Sequence, residues 1–503
     1  VKDLDPFFFP RSVAVVGASA GPFRFGGASF LNYLLESRFH GRIYPVNPRA
    51  VEVQGLKAYP DLVSLPEVPD LALVCVPASK VPSVLLEAAR VGLQHIHIVS
   101  AGFAETDTPD GRALEEEIIS IARRAGLLVM GPNGMGPYCP SSGLTLWGAI
   151  PGLDGPVGII SQSGAMTQRL TEYLCSLGVG VHMAASIGNG TVLDAMDLLD
   201  YMTEREEIRV LGLYLEGTRD GRRLLHTVRR VNRVKPLVFL KGGRSKVGAA
   251  TAVSHTGGMA GSSVLWEAFS SQTGVVEVQS LHEWADAIVA LALLPPPGGN
   301  GVFIVGGGGG NSVLAADACI GEGLCVPALA QKSLQRLREL TPRAGSIAGN
   351  PLDLWMTYQD PGCLADVLEV GDEDPGVRMI LVERLIPRKA FHMPSLPDHT
   401  ADVIHRIRGR PRPKPTAVIV ETEGGDPELA AEGARLRAEF CRAGIPAYPS
   451  MTRAARALAR LYRYEIRCLQ PSHAKAVPFG GPAHRLGHPG SSDEGVDTSS
   501  KKD

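Results

Sequence analysis

The sequence has no apolar run approaching the ~18 residues a membrane-spanning helix needs, and its first residues lack the basic start and apolar core of a signal peptide. The chain is therefore expected in the cytoplasm, away from membranes. It also has almost no charge excess. A formal net charge of -2 argues against a nucleic-acid or membrane-surface protein and makes any basic site a local one. The 8 cysteines are scattered with no C-x-x-C pair, which by spacing excludes a disulfide framework and a zinc site, so no metal ligands are assigned. Nor is there a G-x-x-x-x-G-K-[ST] loop, so no P-loop holds a nucleotide. What the chain does have is length and apolar content. Its 503 residues suffice for about three domains of ~150 residues. Apolar content of 44% and charged content of 20% mark a globular protein.

Strand, glycine turn and helix open the chain at Ser12 to Val16, Gly17-Ala18-Ser19 and the apolar positions Phe30, Leu31, Leu34 and Leu35. This is the opening of a nucleotide-binding βαβ unit. An NAD site wants an acidic residue ~20 positions on, at the end of the second strand. The segment Tyr44-Pro45-Val46-Asn47-Pro48-Arg49 offers Asn47 and Arg49 instead, which suits a phosphorylated ribose as in CoA or NADP. Further strands end at Val76-Pro77, at Ser100 before Glu105, and at Gly131-Pro132-Asn133. Apolar strands alternating with amphipathic helices predict a parallel sheet covered on both faces, with ligand at the carboxyl ends of the strands. A second α/β unit is expected over 155 to 295, after a linker from Tyr138 to Gly155. A third is expected over 299 to 468, after Pro295-Pro296-Pro297-Gly298-Gly299. From 471 to 503 the chain is Gly, Pro, Ser, His and charge without periodicity, expected as a disordered tail.

Three segments of the second unit carry chemistry. Ser254-His255-Thr256-Gly257-Gly258 sets an imidazole among small residues whose backbone N–H groups can meet an anion. Ser161-Gln162-Ser163-Gly164 runs from an apolar strand into a helix expected to open at about Met166, where unpaired N–H groups and the dipole favour phosphate. Leu213-Tyr214-Leu215-Glu216-Gly217 ends a strand on a carboxylate, which could fix the tautomer of an imidazole and leave its other nitrogen free to attack phosphorus. Singly, these read as a turn histidine, a capped helix and a surface acid.

Together, in this order, they resemble the α part of the nucleoside-diphosphate-forming acyl-CoA synthetases, relatives of succinyl-CoA synthetase. The segments GAS, YPVNP, VPA, SAGFAE and GPN resemble that family's CoA-binding domain, and Gly349-Asn350-Pro351-Leu352-Asp353-Leu354 its G-N-P-x-D-L segment. The resemblance covers about 460 residues of the chain. It implies an α/β protein with a Rossmann-like CoA-binding domain over 1 to 140 and two flavodoxin-like doubly wound domains after it. It implies CoA contacts at Gly17, Ala18, Ser19, Asn47, Arg49, Val76, Pro77, Ser100, Glu105 and Asn133. It further implies phosphate at Ser161, Gln162, Ser163, Gly164, Gly257 and Gly258, phosphorylation of His255, and Glu216 steadying that ring. One departure stands out: Ser186-Ile187-Gly188-Asn189-Gly190 has Gly190 where the family usually has Lys.

The implied reaction is reversible: acyl-CoA, phosphate and ADP or GDP give acid, CoA and ATP or GTP. Nothing in the chain resembles the family's ATP-grasp module, so a separate β subunit carrying Mg-nucleotide is expected, in a hetero-oligomer with α–α contacts. The partners are then that subunit and a small carboxylic acid or its acyl-CoA, with no nucleic acid and no membrane. Two alternatives stay open: a non-catalytic CoA-binding regulatory protein, for which Gly190 leaves room, and an NADP-dependent reductase, favoured by Arg49 and the first glycine turn.

Overall fold

The computed structural model describes residues 2–19, 26–148, 150, 152–245, 247–248, 263–306, 308–341, 346–386, 398–422 and 426–469. The expected tail, 471 to 503, lies outside them.

Three sheets follow one another along the chain. The first is built from β1 (Ser12–Val16), β2 (Arg42–Val46), β5 (Leu71–Val74), β6 (His95–Ile98) and β7 (Leu128–Met130), all parallel; a hairpin of β3 (Glu52–Val53) and β4 (Leu56–Lys57) lies apart. Its order is β2-β1-β5-β6-β7. The second contains β8 (Gly136–Tyr138), β9 (Val157–Ser161), β10 (Val181–Ser186), β11 (Val210–Leu215), β12 (Leu237–Lys241) and β13 (Val276–Val278), ordered β13-β12-β11-β9-β10-β8. The third contains β14 (Val302–Gly306), β15 (Leu352–Asp353), β16 (Met379–Arg384), β17 (Thr416–Val420) and β18 (Ala447–Tyr448), ordered β15-β14-β16-β17-β18. Leaving out the hairpin and antiparallel β8, each sheet has one strand order, 2-1-3-4-5. That is the doubly wound arrangement whose ligand crevice opens between the first and third strands.

Burial explains why the strands read so plainly. Residues of β1, β5, β6, β9, β10, β12, β14 and β17 are buried throughout, as a parallel sheet with helices on both faces requires. The first residue of the stretch expected as a linker, Tyr138, is instead the last of β8, which pairs antiparallel with β10. Tyr138 and Trp147 stack within it at 5.2 Å, and both are buried with Leu144 and Leu146, because the aromatic area is worth more against the core than in water. The second and third units are also joined, by the Met451–Tyr464 helix packing on the Leu281–Leu293 helix. There Arg453 clasps buried Asp286 through two bonds of 2.7 Å.

Candidate functional site

β9 carries an apolar strand straight into the Gly164–Ser176 helix, and the turn between them is closed by its own serines. Ser161 Oγ donates to the Ser163 carbonyl (2.8 Å) and accepts from the Ser163 N–H (3.0 Å). Ser163 is the N-cap, its Oγ accepting from Met166 N–H at 3.3 Å. The helix therefore starts at Gly164, two residues before the expected Met166. The Gly164 and Ala165 N–H groups have no hydrogen-bond partner among the described residues. They stand at the positive end of a helix of 13 residues, a setting that favours an anion.

Gln162 links this turn to the expected carboxylate. Its Oε1 accepts from the Glu216 N–H (2.6 Å) and the Gly217 N–H (3.2 Å), while its own N–H donates to the Tyr214 carbonyl (3.2 Å). β9 and β11 are the first and third strands of their unit, so the amide spans the crevice the topology creates. Half-buried Glu216 takes a hydrogen bond from Tyr214 Oη at Oε1 (3.1 Å). Below it, Lys241 donates to the Glu216 carbonyl (2.8 Å) and to the Gly242 carbonyl, with its ammonium 4.9 Å from the Trp266 ring centre. Burial pushes the Lys241 amine down to about 8; the Glu216 charge opposes that shift and Arg244 adds to it. The structure thus brings Ser161, Gln162, Ser163, Gly164 and Glu216 together. His255, Gly257 and Gly258 lie outside the described residues.

The expected CoA residues gather at the carboxyl ends of the first sheet. Gly17 N–H donates to the Val46 carbonyl at 2.9 Å. Asn47 Nδ2 donates to the Ala18 carbonyl (2.7 Å), and its Oδ1 accepts from the Arg49 and Ala50 N–H groups (2.8 and 3.2 Å). Asn47 therefore shapes the loop, and exposed Arg49 is the group left facing solvent. Ser19 and Pro77 are exposed and Val76 is half-buried. Ser100 Oγ donates to the Val76 carbonyl at 2.5 Å. Glu105 Oε1 accepts from the Gly102 and Phe103 N–H groups at 2.6 and 3.1 Å, so part of its binding capacity goes to its own loop. Asn133, with φ 59°, donates its N–H to the Ser100 carbonyl at 3.0 Å.

One structural element escaped sequence reasoning: the seam between the first two units. Residues 187 to 193 run beside 129 to 133, with Asn189, Thr191 and Leu193 donating N–H bonds to Pro132, Gly131 and Val129 at 2.9, 3.2 and 3.0 Å. A side chain on Gly188 would strike the carbonyls of Pro132 and Asn133, and one on Gly134 would come 2.6 Å from the Ser186 carbonyl. Only glycines allow so close an approach. Gly190, where the family usually has Lys, has φ 57°, a left-handed backbone in which a longer side chain is strained. A cavity of about 270 Å³ opens along this seam beside Gln162, Asn189, Gly217 and Arg219. The segment Ser186-Ile187-Gly188-Asn189-Gly190 signalled a turn, but nothing in it pointed to partners 74 or 84 positions away.

Comparison with known proteins finds matches over most of the chain. Residues 11–139 match the CoA binding domain family, 154–291 the succinyl-CoA ligase like flavodoxin domain, and 302–467 the ligase-CoA domain. Acetate-CoA ligase (ADP-forming) I subunit alpha of Pyrococcus furiosus is 33% identical over 473 residues, covering 92% of this chain and 97% of that one. Acetate-CoA ligase (ADP-forming) of Methanocaldococcus jannaschii is 32% identical, with 70% of this chain aligned to 49% of that protein. The solved dinucleotide forming acetyl-coenzyme A synthetase 1 of Ca. Korarchaeum cryptofilum, in complex with phosphate and ADP, superposes with a TM-score of 0.82 at 30% identity, over 95% of this chain and 100% of that one. With a CoA-binding sheet, an anion-ready turn and a carboxylate bonded into one crevice, the chain belongs to the family of ADP-forming acyl-CoA ligases, as a counterpart of their alpha subunits.

Proposed function

We propose that this ligase makes and breaks acyl-CoA through a phosphorylated His255, and that it does so with a second subunit. The observation that carries this reading is the Gln162 amide, which holds the phosphate turn and the Glu216 strand end in one crevice at 2.6 Å. CoA would lie along Gly17, Ala18, Ser19, Asn47, Arg49, Val76, Pro77, Ser100, Glu105 and Asn133. Phosphate would sit on the Gly164 and Ala165 N–H groups, with Gly257 and Gly258 adding theirs.

A phosphate oxygen attacks the thioester carbonyl, the C–S bond breaks, and CoA leaves as the thiol while acyl phosphate forms. The neutral His255 ring then attacks phosphorus, and the P–O bond to the acyl group breaks, releasing the carboxylate. A β-phosphate oxygen of ADP takes the phosphoryl group from the ring in the last step. A phosphohistidine joined at one nitrogen keeps a proton on the other, and Glu216 stabilises that cation.

The nucleotide and its Mg ion would come on an ATP-grasp β subunit. The Pyrococcus furiosus relative is named as an alpha subunit, and the Methanocaldococcus jannaschii relative is about twice as long as the part matched here. An assembly such as α2β2, at work in the cytoplasm, would follow. Purified chain incubated with ATP and Mg, labelled in the γ phosphate, is expected to stay unlabelled alone and to take label at His255 once the β subunit is added. Label on a His255→Ala chain, or strong turnover by the chain alone, would refute the reading.

A further inference from the structure

The seam between the first two units is keyed by a single buried amide. Asn189, 4% exposed, donates from Nδ2 to Glu105 Oε2 (2.7 Å) and to Glu115 Oε2 (2.8 Å). Both hydrogens of its NH2 group are thereby used. Its Oδ1 lies 3.4 Å from Asn133 Nδ2. Glu115, itself 4% exposed, takes Arg219 on its other oxygen. Two carboxylates sharing one nitrogen repel each other, and the amide with Arg219 is what offsets that repulsion inside the seam.

The bonds on either side of Asn189 give this key its consequence. Toward the first unit, Glu105 passes the contact on to the Gly102 and Phe103 N–H groups, in the loop at the carboxyl end of β6. Toward the second unit, Ile187 N–H donates to the Ser161 carbonyl at 2.9 Å, so the segment carrying Asn189 is fastened to the first residue of the phosphate turn. Ser186 Oγ accepts from Met135 N–H at 3.0 Å beside it. A continuous run of hydrogen bonds thus joins the CoA-binding strand ends to the turn, with only residue 188 between the Ile187 and Asn189 anchors.

We propose that Asn189 is a positioning residue that sets the reach of the CoA-binding unit to the phosphate turn, governing the thioester half of the reaction and not the phosphoryl half. The proposal rests on the function given above. In the thioester half, sulfur held by the first unit must meet an acyl phosphate held by the second, so an error of about 1 Å across the seam is costly. The phosphoryl half, as proposed above, uses the turn, His255 and the nucleotide and needs no group of the CoA-binding unit.

The test uses the full chain reconstituted with its β subunit and reads two rates: labelling of His255 by ATP, and CoA-dependent discharge of that label in the presence of the acid. Asn189→Ala is expected to slow discharge at least tenfold and to leave the labelling rate within twofold. Glu115→Gln, which keeps an acceptor for Arg219 but turns a donor toward Asn189, should show the same split more weakly, and serves if the alanine variant does not fold. Equal losses in both rates, or no loss in either, would overturn the proposal. A wild-type complex that takes no label would instead sink the function on which it rests, which keeps the two failures apart.

Discussion

The turns after β9 and β14 sit at the same place in the same strand order, and their chemistry differs. After β9, serine side chains close the turn, and a neutral amide from Gln162 reaches across to β11. After β14 the chain runs through glycine, with Gly307 outside the described residues, and the Gly309–Gly321 helix starts on Gly308 without a side-chain cap. A carboxylate lies beneath that second turn. Glu383, 4% exposed on β16, accepts from Asn311 Nδ2 in the first turn of the helix (2.5 Å) and from Tyr358 Oη (2.6 Å). A side chain on Gly306 would come 2.8 Å from its Oε2. Topology supplies the crevice twice, and the neighbouring strand decides how it is charged. In the second unit the Gly164 and Ala165 N–H groups have no partner among the described residues, whereas in the third a carboxylate of the chain itself is bonded into the first helical turn.

The largest expected effect tests the first half of this contrast. Gln162→Leu removes the acceptor for Glu216 and Gly217 N–H, and turnover of the reconstituted enzyme should fall on the order of 100-fold, about 2.7 kcal/mol at the barrier. Steady-state rates decide it, and near wild-type turnover would break the contrast. The third unit should respond in stability instead. Tyr358→Phe takes a hydroxyl from a buried carboxylate and should cost about 1–3 kcal/mol in urea unfolding, with turnover per folded molecule within twofold. Lost turnover at full stability would mean that the third turn works on substrate too.

Lys241 sharpens the picture from below the site. Its amine sits near 8 in the folded chain against an ordinary 10.5, because of burial. Between those values the unfolded chain holds more protons than the folded one, so this group makes stability rise with pH across that window, by at most about 1.4 kcal/mol per pH unit. Melts of wild type and Lys241→Met over that range should differ by this slope. The smallest effect is expected at Arg49, whose side chain is exposed. Arg49→Ala should raise KM for CoA roughly threefold to tenfold with no shift in melting temperature, the loss shrinking as salt is added.

Much of this was readable from the residues. The strand Ser12–Val16 falls where the apolar run predicts, and the strands Val157–Ser161 and Val210–Leu215 end at the serine turn and just before the carboxylate, as expected of them. Buried parallel strands must be apolar along their length, which leaves little room for error. The helix start at Gly164 came two residues early, because Ser163 and not a later residue is its cap. The stretch 138 to 155 misled, since its glycines and prolines mark turns while Tyr138 and Trp147 bury themselves. Glu105 was expected to face CoA, and its loop and Asn189 take much of its carboxylate.

What the sequence determined alone is the repeated strand, turn and helix, because local periodicity and glycine turns follow from backbone geometry over a few residues. It also carries the motif residues, whose proposed chemistry needs particular side chains. Only the tertiary structure decided that Gln162 bonds to the end of β11, that Asn189 joins Glu105 to Glu115, and that Glu383 lies under a glycine turn. Those contacts span tens of positions, and they exist only once three sheets have packed and brought their strand ends within hydrogen-bond reach.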